Sequence, residues 1–207
     1  MITIYFILGL LAAFIGALPL GASNIIVINT TLKHDAKQAL KIAFAAGLAE
    51  VILSFYALHC NTIVQSFIEK NQWLQIIIVL ILLCIGAYLF FKKQKEKNSK
   101  KKKIIQSKYL TGFLSGILNP PVLVYWLVAI GYINDSMYML SLQSSIAILF
   151  LFFIGVYLGK VLTLYLYSKF SLVIKNKVQN ITLVVNKVTG VLLIIIAMIN
   201  TAKIYFI

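Results

Sequence analysis

Residues 16–24 read GALPLGASN, and residues 116–121 read GILNPP. Both stretches interrupt long apolar runs, and together they hold all three prolines of the chain, Pro19, Pro120 and Pro121. Proline removes a backbone donor and clashes with the preceding turn of a helix. The two stretches therefore predict two broken helices.

The composition around these breaks is typical of a membrane protein. Of 207 residues, 61% are hydrophobic and only 12% are charged, whereas a soluble domain has about 45–50% apolar and about 25% charged residues. Several apolar runs are long enough to cross a hydrocarbon layer of about 30 Å. A soluble enzyme, a secreted disulfide scaffold and a disordered module are excluded, and no cofactor is expected.

Apolar runs of roughly 20 residues bounded by charge predict six membrane spans. The predicted spans cover residues 3–32, 38–61, 73–91, 109–134, 144–167 and 187–206. The first run is assigned to a membrane helix and not to a signal peptide, because no lysine precedes Lys33 and the apolar stretch continues to Ile28.

The lysines predict the orientation of these spans. The chain has 19 basic residues, all lysine; sixteen fall on one predicted side, Lys70 and Lys203 on the other, and Lys160 within a span. The positive-inside rule then places both termini outside and the segment from Lys92 to Lys108, which holds nine lysines, in the cytoplasm. The net charge of +14 is thus explained by topology, and no nucleic-acid partner is expected. The segment is a solvated linker that we also expect to meet anionic lipids.

The lysine-rich segment divides the chain into two halves of opposite orientation. Residues 1–91 form a first three-helix repeat, residues 92–108 a cytoplasmic loop, and residues 109–207 a second repeat, all within one membrane domain. Three spans on each side of a cytoplasmic loop are the arrangement of an inverted repeat. The predicted fold class is therefore an all-α polytopic membrane protein, with six transmembrane helices in an inverted 3+3 repeat and broken helices 1 and 4.

Each break should free backbone carbonyls, which are tolerated at membrane depth only where they are buried in protein or line a wet cavity. Asn119 followed by Pro120 is typical of an N-cap with proline at the first helical position. The start of such a half-helix can hold a carboxylate. Plain proline kinks that aid packing are the alternative.

The second predicted span carries a seam of residues three or four apart on one helix face. Its members are Ala43, Gly47, Glu50, Ser54, Ala57 and Asn61. Small residues let helices approach closely, so the seam directs Glu50 towards the bundle. Glu50 is the only acidic residue inside a predicted span, and a charge there costs at least about 2.5–3.5 kcal/mol. We expect it to be protonated, hydrated or paired, either as a proton carrier or in a structural hydrogen bond.

Lys160 is the only lysine that lies more than four residues from an end of a predicted span, and it follows the pattern Gly155-x-x-x-Gly159. It occupies a place in its half comparable to that of Glu50, so a pair between them is one interpretation. Because Lys160 lies about five residues, or ~7 Å, closer to the cytoplasm, we favour a side chain that extends to the membrane interface. Trp73 and Trp126 are interpreted as interface anchors and packing residues.

Five short motifs resemble the lysine exporter (LysE/RhtB) family of bacterial amino-acid efflux proteins. They are LPLGASNIIV at 18–27, GLAEV at 47–51, GAYL at 86–89, GFL at 112–114 leading to LNP at 118–120, and TGVLL at 189–193. The resemblance covers nearly the whole chain in order. The family motif usually reads Pro-Gly-Pro or Pro-x-Gly-Pro, whereas Ala22 replaces its second proline here, and Pro121 stands where a lysine often follows Asn-Pro.

This resemblance implies a bacterial plasma-membrane exporter of amino acids or similar metabolites, driven by proton exchange, with its site at the broken helices. The substrate-binding candidates are Pro19, Gly21, Ser23, Asn24, Asn119 and Pro120. Glu50, which matches a position often acidic in the family, and Lys160 are the proton-coupling candidates. Self-association into a homo-oligomer is left open.

Two other functions remain as alternatives. A divalent-metal exporter is disfavoured because Glu50 and the distant His59 supply too few ligands. A membrane thiol oxidoreductase would need two facing cysteines near the midplane, whereas Cys60 lies at the end of a span and Cys84 in the middle of another.

Overall fold

The computed structural model describes residues 2–91, 107–135 and 140–175, with separate positions between 187 and 201. Within these residues the chain is helical and contains no strand. The helices are α1 (Thr3–Ala17), α2 (Ala22–Lys33), α3 (Ala36–Lys70), α4 (Gln72–Phe91), α5 (Lys108–Ile117), α6 (Pro120–Asp135) and α7 (Ile146–Lys175). The predicted all-α class is confirmed for this part of the chain.

Two stretches of the described helices are long and apolar enough to cross a membrane, Ala36–Asn61 in α3 and Ile146–Ser171 in α7. The number rises to four if α1 with α2 and α5 with α6 each form one bent span. The count of six spans and the inverted repeat stay predictions. Residues 92–106 and most of the sixth predicted span, 187–206, lie outside the described residues.

Both predicted breaks are present. The axes of α1 and α2 differ by 74°, and those of Lys108–Ile117 and Pro121–Asn134 differ by 59°. Helix α1 ends at Ala17, two residues before Pro19, whose ring lacks a backbone donor and clashes with the preceding turn of a helix. Helix α6 starts at Pro120, a position where the missing N–H of proline costs nothing.

The chain forms two compact units, one of Met1–Asn61 with Ser99–Asn176 and the other of Thr62–Asn98 with Lys177–Ile207. The first contains α1, α2, α5, α6, α7 and the greater part of α3. All the residues of the candidate site lie in this first unit. The second contains α4. In this unit Gly190 packs closely on α4, because a Cβ on Gly190 would lie 2.6 Å from the carbonyl oxygen of Gly86.

Helices α1 and α7 pack backbone against backbone. A Cβ on Gly9 would collide with the carbonyl oxygen of Phe152, one on Gly155 with that of Phe6, and one on Gly159 with that of Leu10. Glycine is needed at these three positions because the facing atoms are backbone atoms that do not move aside. We call α1 with α7 the first glycine-packed pair.

Helices α3 and α5 pack in the same way. A Cβ on Gly112 would collide with the carbonyl oxygen of Ile42, and one on Gly116 would lie 2.6 Å from the Cβ of Ala49. We call α3 with α5 the second glycine-packed pair. Each long helix thus packs on the first segment of the broken helix from the other half of the sequence.

The predicted seam of α3 faces the protein. Its six members, Ala43, Gly47, Glu50, Ser54, Ala57 and Asn61, are all buried. Beyond Glu50 along α3, the interior is an apolar cluster that includes Leu53, Ile130 and Phe152. The seam therefore holds Glu50 inside the helix bundle.

Candidate functional site

The carbonyls freed by the first break are bound by two side chains. Asn24 Nδ2 donates to the carbonyl oxygens of Ala17 at 2.7 Å and Pro19 at 3.2 Å. The hydroxyl of Tyr167, from α7, donates to the carbonyl oxygen of Leu18 at 2.5 Å. Three successive carbonyls at the end of α1 thus have donors, which is what a break at membrane depth requires.

The two breaks meet. A Cβ on Gly21 would lie 3.6 Å from Asn119 Nδ2 and 4.0 Å from Asn24 Oδ1. Next to them, the hydroxyl oxygens of Ser23 and Ser115 are 3.2 Å apart. The structure therefore brings together the substrate-binding candidates Gly21, Ser23, Asn24 and Asn119, although they come from both halves of the sequence.

The remaining two candidates act through the backbone. Pro19 supplies a carbonyl oxygen to Asn24, and Pro120 is the first residue of α6. The side chain of Pro120 lies outside the described residues. Ser115 was missed by the sequence analysis, although it lies one residue before the break motif that starts at Gly116.

The start of α2 offers more free donors than the start of α6. Pro120 and Pro121 have no N–H, and the N–H of Val122 donates to the carbonyl oxygen of Asn119 at 3.0 Å. Helix α2 begins after Gly21, which has an extended backbone, and its first turn contains no proline and has no side-chain cap. The first N–H groups of α2 are therefore present and have no acceptor within the helix. A carboxylate therefore fits the start of α2 better than the predicted position at Pro120.

Glu50 and Lys160 form a buried ion pair. Lys160 Nζ lies 3.0 Å from Glu50 Oε2, and the two side chains are only 4% and 1% exposed. The favoured expectation that Lys160 extends to the membrane interface is therefore wrong. Because Gly47 of α3 carries no side chain, Tyr157 and Val161 of α7 approach its backbone closely, and the long lysine side chain reaches the carboxylate.

Trp126 holds the other oxygen of the carboxylate. Its Nε1 donates to Glu50 Oε1 at 3.0 Å, and the side chain is fully buried. The expected role of Trp126 as an interface anchor is wrong, whereas packing is confirmed by its edge-on contacts with Tyr125 and Phe152. Glu50 Oε2 accepts no well-directed hydrogen bond from the described residues, so the Lys160 ammonium alone compensates it.

The ion pair lies beside both breaks. Ala49, the neighbour of Glu50, contacts Gly116 at the start of the second break. Lys160 lies on α7 seven residues before Tyr167, about two helical turns, and Tyr167 binds the first break.

Neither alternative function gains a site from the described residues. Among them, no three His, Cys, Asp or Glu side chains are close enough to hold a metal ion. Cys60 is half-buried and Cys84 exposed, and both are free thiols.

Discontinuous helices whose breaks meet over polar side chains are the arrangement in which many membrane transporters bind substrate. The chain belongs to the LysE type translocator family, whose model matches residues 14–200. The resemblance is thereby confirmed, and the protein is a multi-pass membrane transporter of a small molecule from a family of transporters and not of enzymes. No curated protein and no solved structure matches the chain.

Proposed function

We propose that the protein exports amino acids or related small metabolites in exchange for protons, by alternating access. The observation that carries this proposal is the buried pair of Glu50 and Lys160 next to the meeting point of the two breaks. Ionisable residues inside a membrane bundle are expensive and serve ion pathways and proton relays.

The substrate would bind where the breaks meet. Its carboxylate would accept from the first N–H groups of α2, at the positive end of that half-helix. Its ammonium group would donate to neutral oxygens, of which Ser23 and the amides of Asn24 and Asn119 supply several. Pro19, Gly21 and Pro120 would keep the backbone open at this place.

The proton would bind to Glu50 Oε2. With the carboxylate charged, Lys160 compensates it; a proton arriving on Oε2 neutralises the carboxyl group and releases the lysine. The transporter would change orientation either with substrate bound or, when empty, with Glu50 protonated and the ion pair broken. One carboxylate would thus link the proton to the direction of movement.

The packing supports alternating access. Each glycine-packed pair is held by backbone contacts, whereas the second meets the first at Gly47 through the side chains of Tyr157 and Val161, whose atoms lie 2.9 Å from where a Cβ on Gly47 would be. Backbone contacts hold two helices as a rigid body, whereas flexible side chains can slide. The α1–α7 pair would rock against the α3–α5 pair, and the bond between Glu50 and Lys160 joins the two.

The predicted topology gives the direction. With the lysine-rich segment in the cytoplasm of a bacterium and its lysines near the anionic leaflet, a proton gradient directed inward across the plasma membrane would drive substrate outward. Both termini would then lie outside.

Proton flux in proteoliposomes tests the proposal. The protein is reconstituted with a pH-sensitive dye inside, and a panel of amino acids is added on one side. We expect a substrate-dependent proton flux that is lost in Glu50→Gln, while exchange of labelled for unlabelled substrate persists.

Asp35→Asn is the matched control. Asp35 is an exposed carboxylate at the turn before α3, where its Oδ1 accepts from the N–H of Gln38 at 2.6 Å, and this bond lowers its pKa. The control should keep the proton flux. If Glu50→Gln left the flux and its pH dependence unchanged, proton coupling through Glu50 would be wrong; if no amino acid moved protons, divalent metals would form the next panel.

A further inference from the structure

The two charged side chains of the site, Glu50 and Lys160, neutralise each other. Glu50 is the only acid within the predicted spans, and Lys160 is the only lysine more than four residues from a span end; the two are 3.0 Å apart. The groups at the breaks are neutral amides and hydroxyls, those of Ser23, Asn24, Ser115, Asn119 and Tyr167.

From this balance we infer that the substrate carries no net charge: a zwitterionic amino acid with an uncharged side chain, and not a basic or acidic one. Lys160 sets this selectivity by occupying the one carboxylate that could receive a cationic side chain. The inference rests on the proposed function and adds the substrate class and a specificity-determining residue.

A second charge on the substrate would have no partner. The other four acids of the chain are Asp35, Glu69, Glu96 and Asp135, and all lie outside the predicted spans. A basic side chain would therefore enter a membrane interior next to Lys160, where an unpaired charge is expensive. An acidic side chain would compete with Glu50 for the one ammonium group.

The seam between α2 and α7 is neutral as well. The hydroxyl oxygens of Thr31 and Ser168 are 2.8 Å apart, and Thr163 and Ser171 on the same face of α7 are buried, at 1% and 0% exposure. Their hydroxyl groups donate to the backbone of their own helix. The polar groups that run along α7 from Lys160 towards its lysine-flanked end are therefore hydroxyls that carry no charge.

The substitution Lys160→Met separates charge from size. Methionine keeps an unbranched apolar chain but removes the ammonium group, so the Glu50 carboxylate is left without its partner. A substrate with a basic side chain can then supply the missing cation. We therefore expect Lys160→Met to gain exchange of lysine.

The test is counterflow in proteoliposomes loaded with unlabelled amino acid and supplied with labelled threonine, lysine or glutamate. The wild type should exchange threonine, and lysine and glutamate should exchange slower by about tenfold or more. Lys160→Met should raise lysine exchange by about tenfold or more. Lys169→Met, an exposed position on the same helix, should leave the ranking unchanged.

The possible results distinguish the two proposals. Lysine or glutamate exchange by the wild type at the threonine rate would overturn the neutral-substrate inference and leave the exporter standing. No exchange of any amino acid would overturn the proposed function and this inference with it. The double variant Glu50→Gln/Lys160→Met, which retains neither charge, should exchange threonine but not lysine; lysine exchange by this variant would also contradict the role of Lys160. If Lys160→Met does not fold, the wild-type ranking and the double variant decide.

Discussion

At the scale of single residues, buried polar contacts converge on the carboxylate of Glu50. One oxygen accepts from Trp126 Nε1 and the other faces Lys160 Nζ, each at 3.0 Å. The sequence predicted that Glu50 would face the helix bundle and be protonated, hydrated or paired, because a charge inside the membrane is expensive. It favoured the interface for Lys160 and was wrong, since a long side chain reaches either the interface or the carboxylate from the same backbone position.

The ion pair between Glu50 and Lys160 should contribute to the stability of the protein. We expect Glu50→Gln and Lys160→Met each to lower the free energy of unfolding by about 3–5 kcal/mol, because each leaves the partner charge buried and unpaired. The double variant should be more stable than either single variant. Thermal unfolding in detergent measures all three.

Lys169→Met, on the same helix but exposed, is the control and should change stability little. Additive losses in the double variant would show that the two charges do not interact, against the observed geometry.

At the scale of helices, glycine decides which elements lie together. Gly9, Gly155 and Gly159 join α1 to α7, and Gly112 with Gly116 joins α5 to α3. The GxxxG patterns at Gly155–Gly159 and Gly112–Gly116 do not by themselves say which helix is the partner, because many packed helices contain such patterns. The breaks were predicted more firmly, since proline acts on its own helix and needs no information about partners.

Two alanine substitutions compare a packing glycine with a glycine at the break. In Gly9→Ala the new Cβ meets the carbonyl oxygen of Phe152, so α1 and α7 must separate, and we expect a loss of about 1–3 kcal/mol. In Gly21→Ala the nearest atom is 3.6 Å away and the backbone is extended, so stability should change by less than about 0.5 kcal/mol.

Transport measurements should also reveal an effect of Gly21→Ala. Because Gly21 faces Asn119 at the meeting point of the breaks, Gly21→Ala should raise the KM for substrate although the fold is kept. Thermal unfolding measures the stability of both variants. An equal loss of stability in the two would mean that α1 and α7 are not in backbone contact.

At the scale of the whole molecule, the charge balance sets how the transporter responds to voltage. Glu50 is the only acid within the predicted spans, so at most one proton is carried on it in each cycle. If the substrate is neutral, the exchange moves one positive charge into the cell. A potential of 100 mV acts on one charge with about 2.3 kcal/mol.

Substrate export should therefore accelerate when the cytoplasmic side is made negative. A potassium gradient with valinomycin across proteoliposomes sets the potential, and efflux of labelled substrate gives the rate. Glu50→Gln, which has lost the proton site, should exchange substrate at a rate independent of voltage. Voltage-independent export by the wild type would show that the cycle moves no net charge.

The sequence by itself determined the solvent of this protein, the two breaks, the buried face of α3 and the residues that carry charge into the membrane. These follow from local properties: hydrophobicity, the missing N–H of proline and the helical period. Only the tertiary structure decided that Gly21 meets Asn119, that Tyr167 and Asn24 bind the carbonyls of the first break, and that Trp126 and Lys160 share the carboxylate of Glu50. These contacts join residues far apart in the chain, and they depend on how closely glycine lets particular helices approach, which no local pattern specifies.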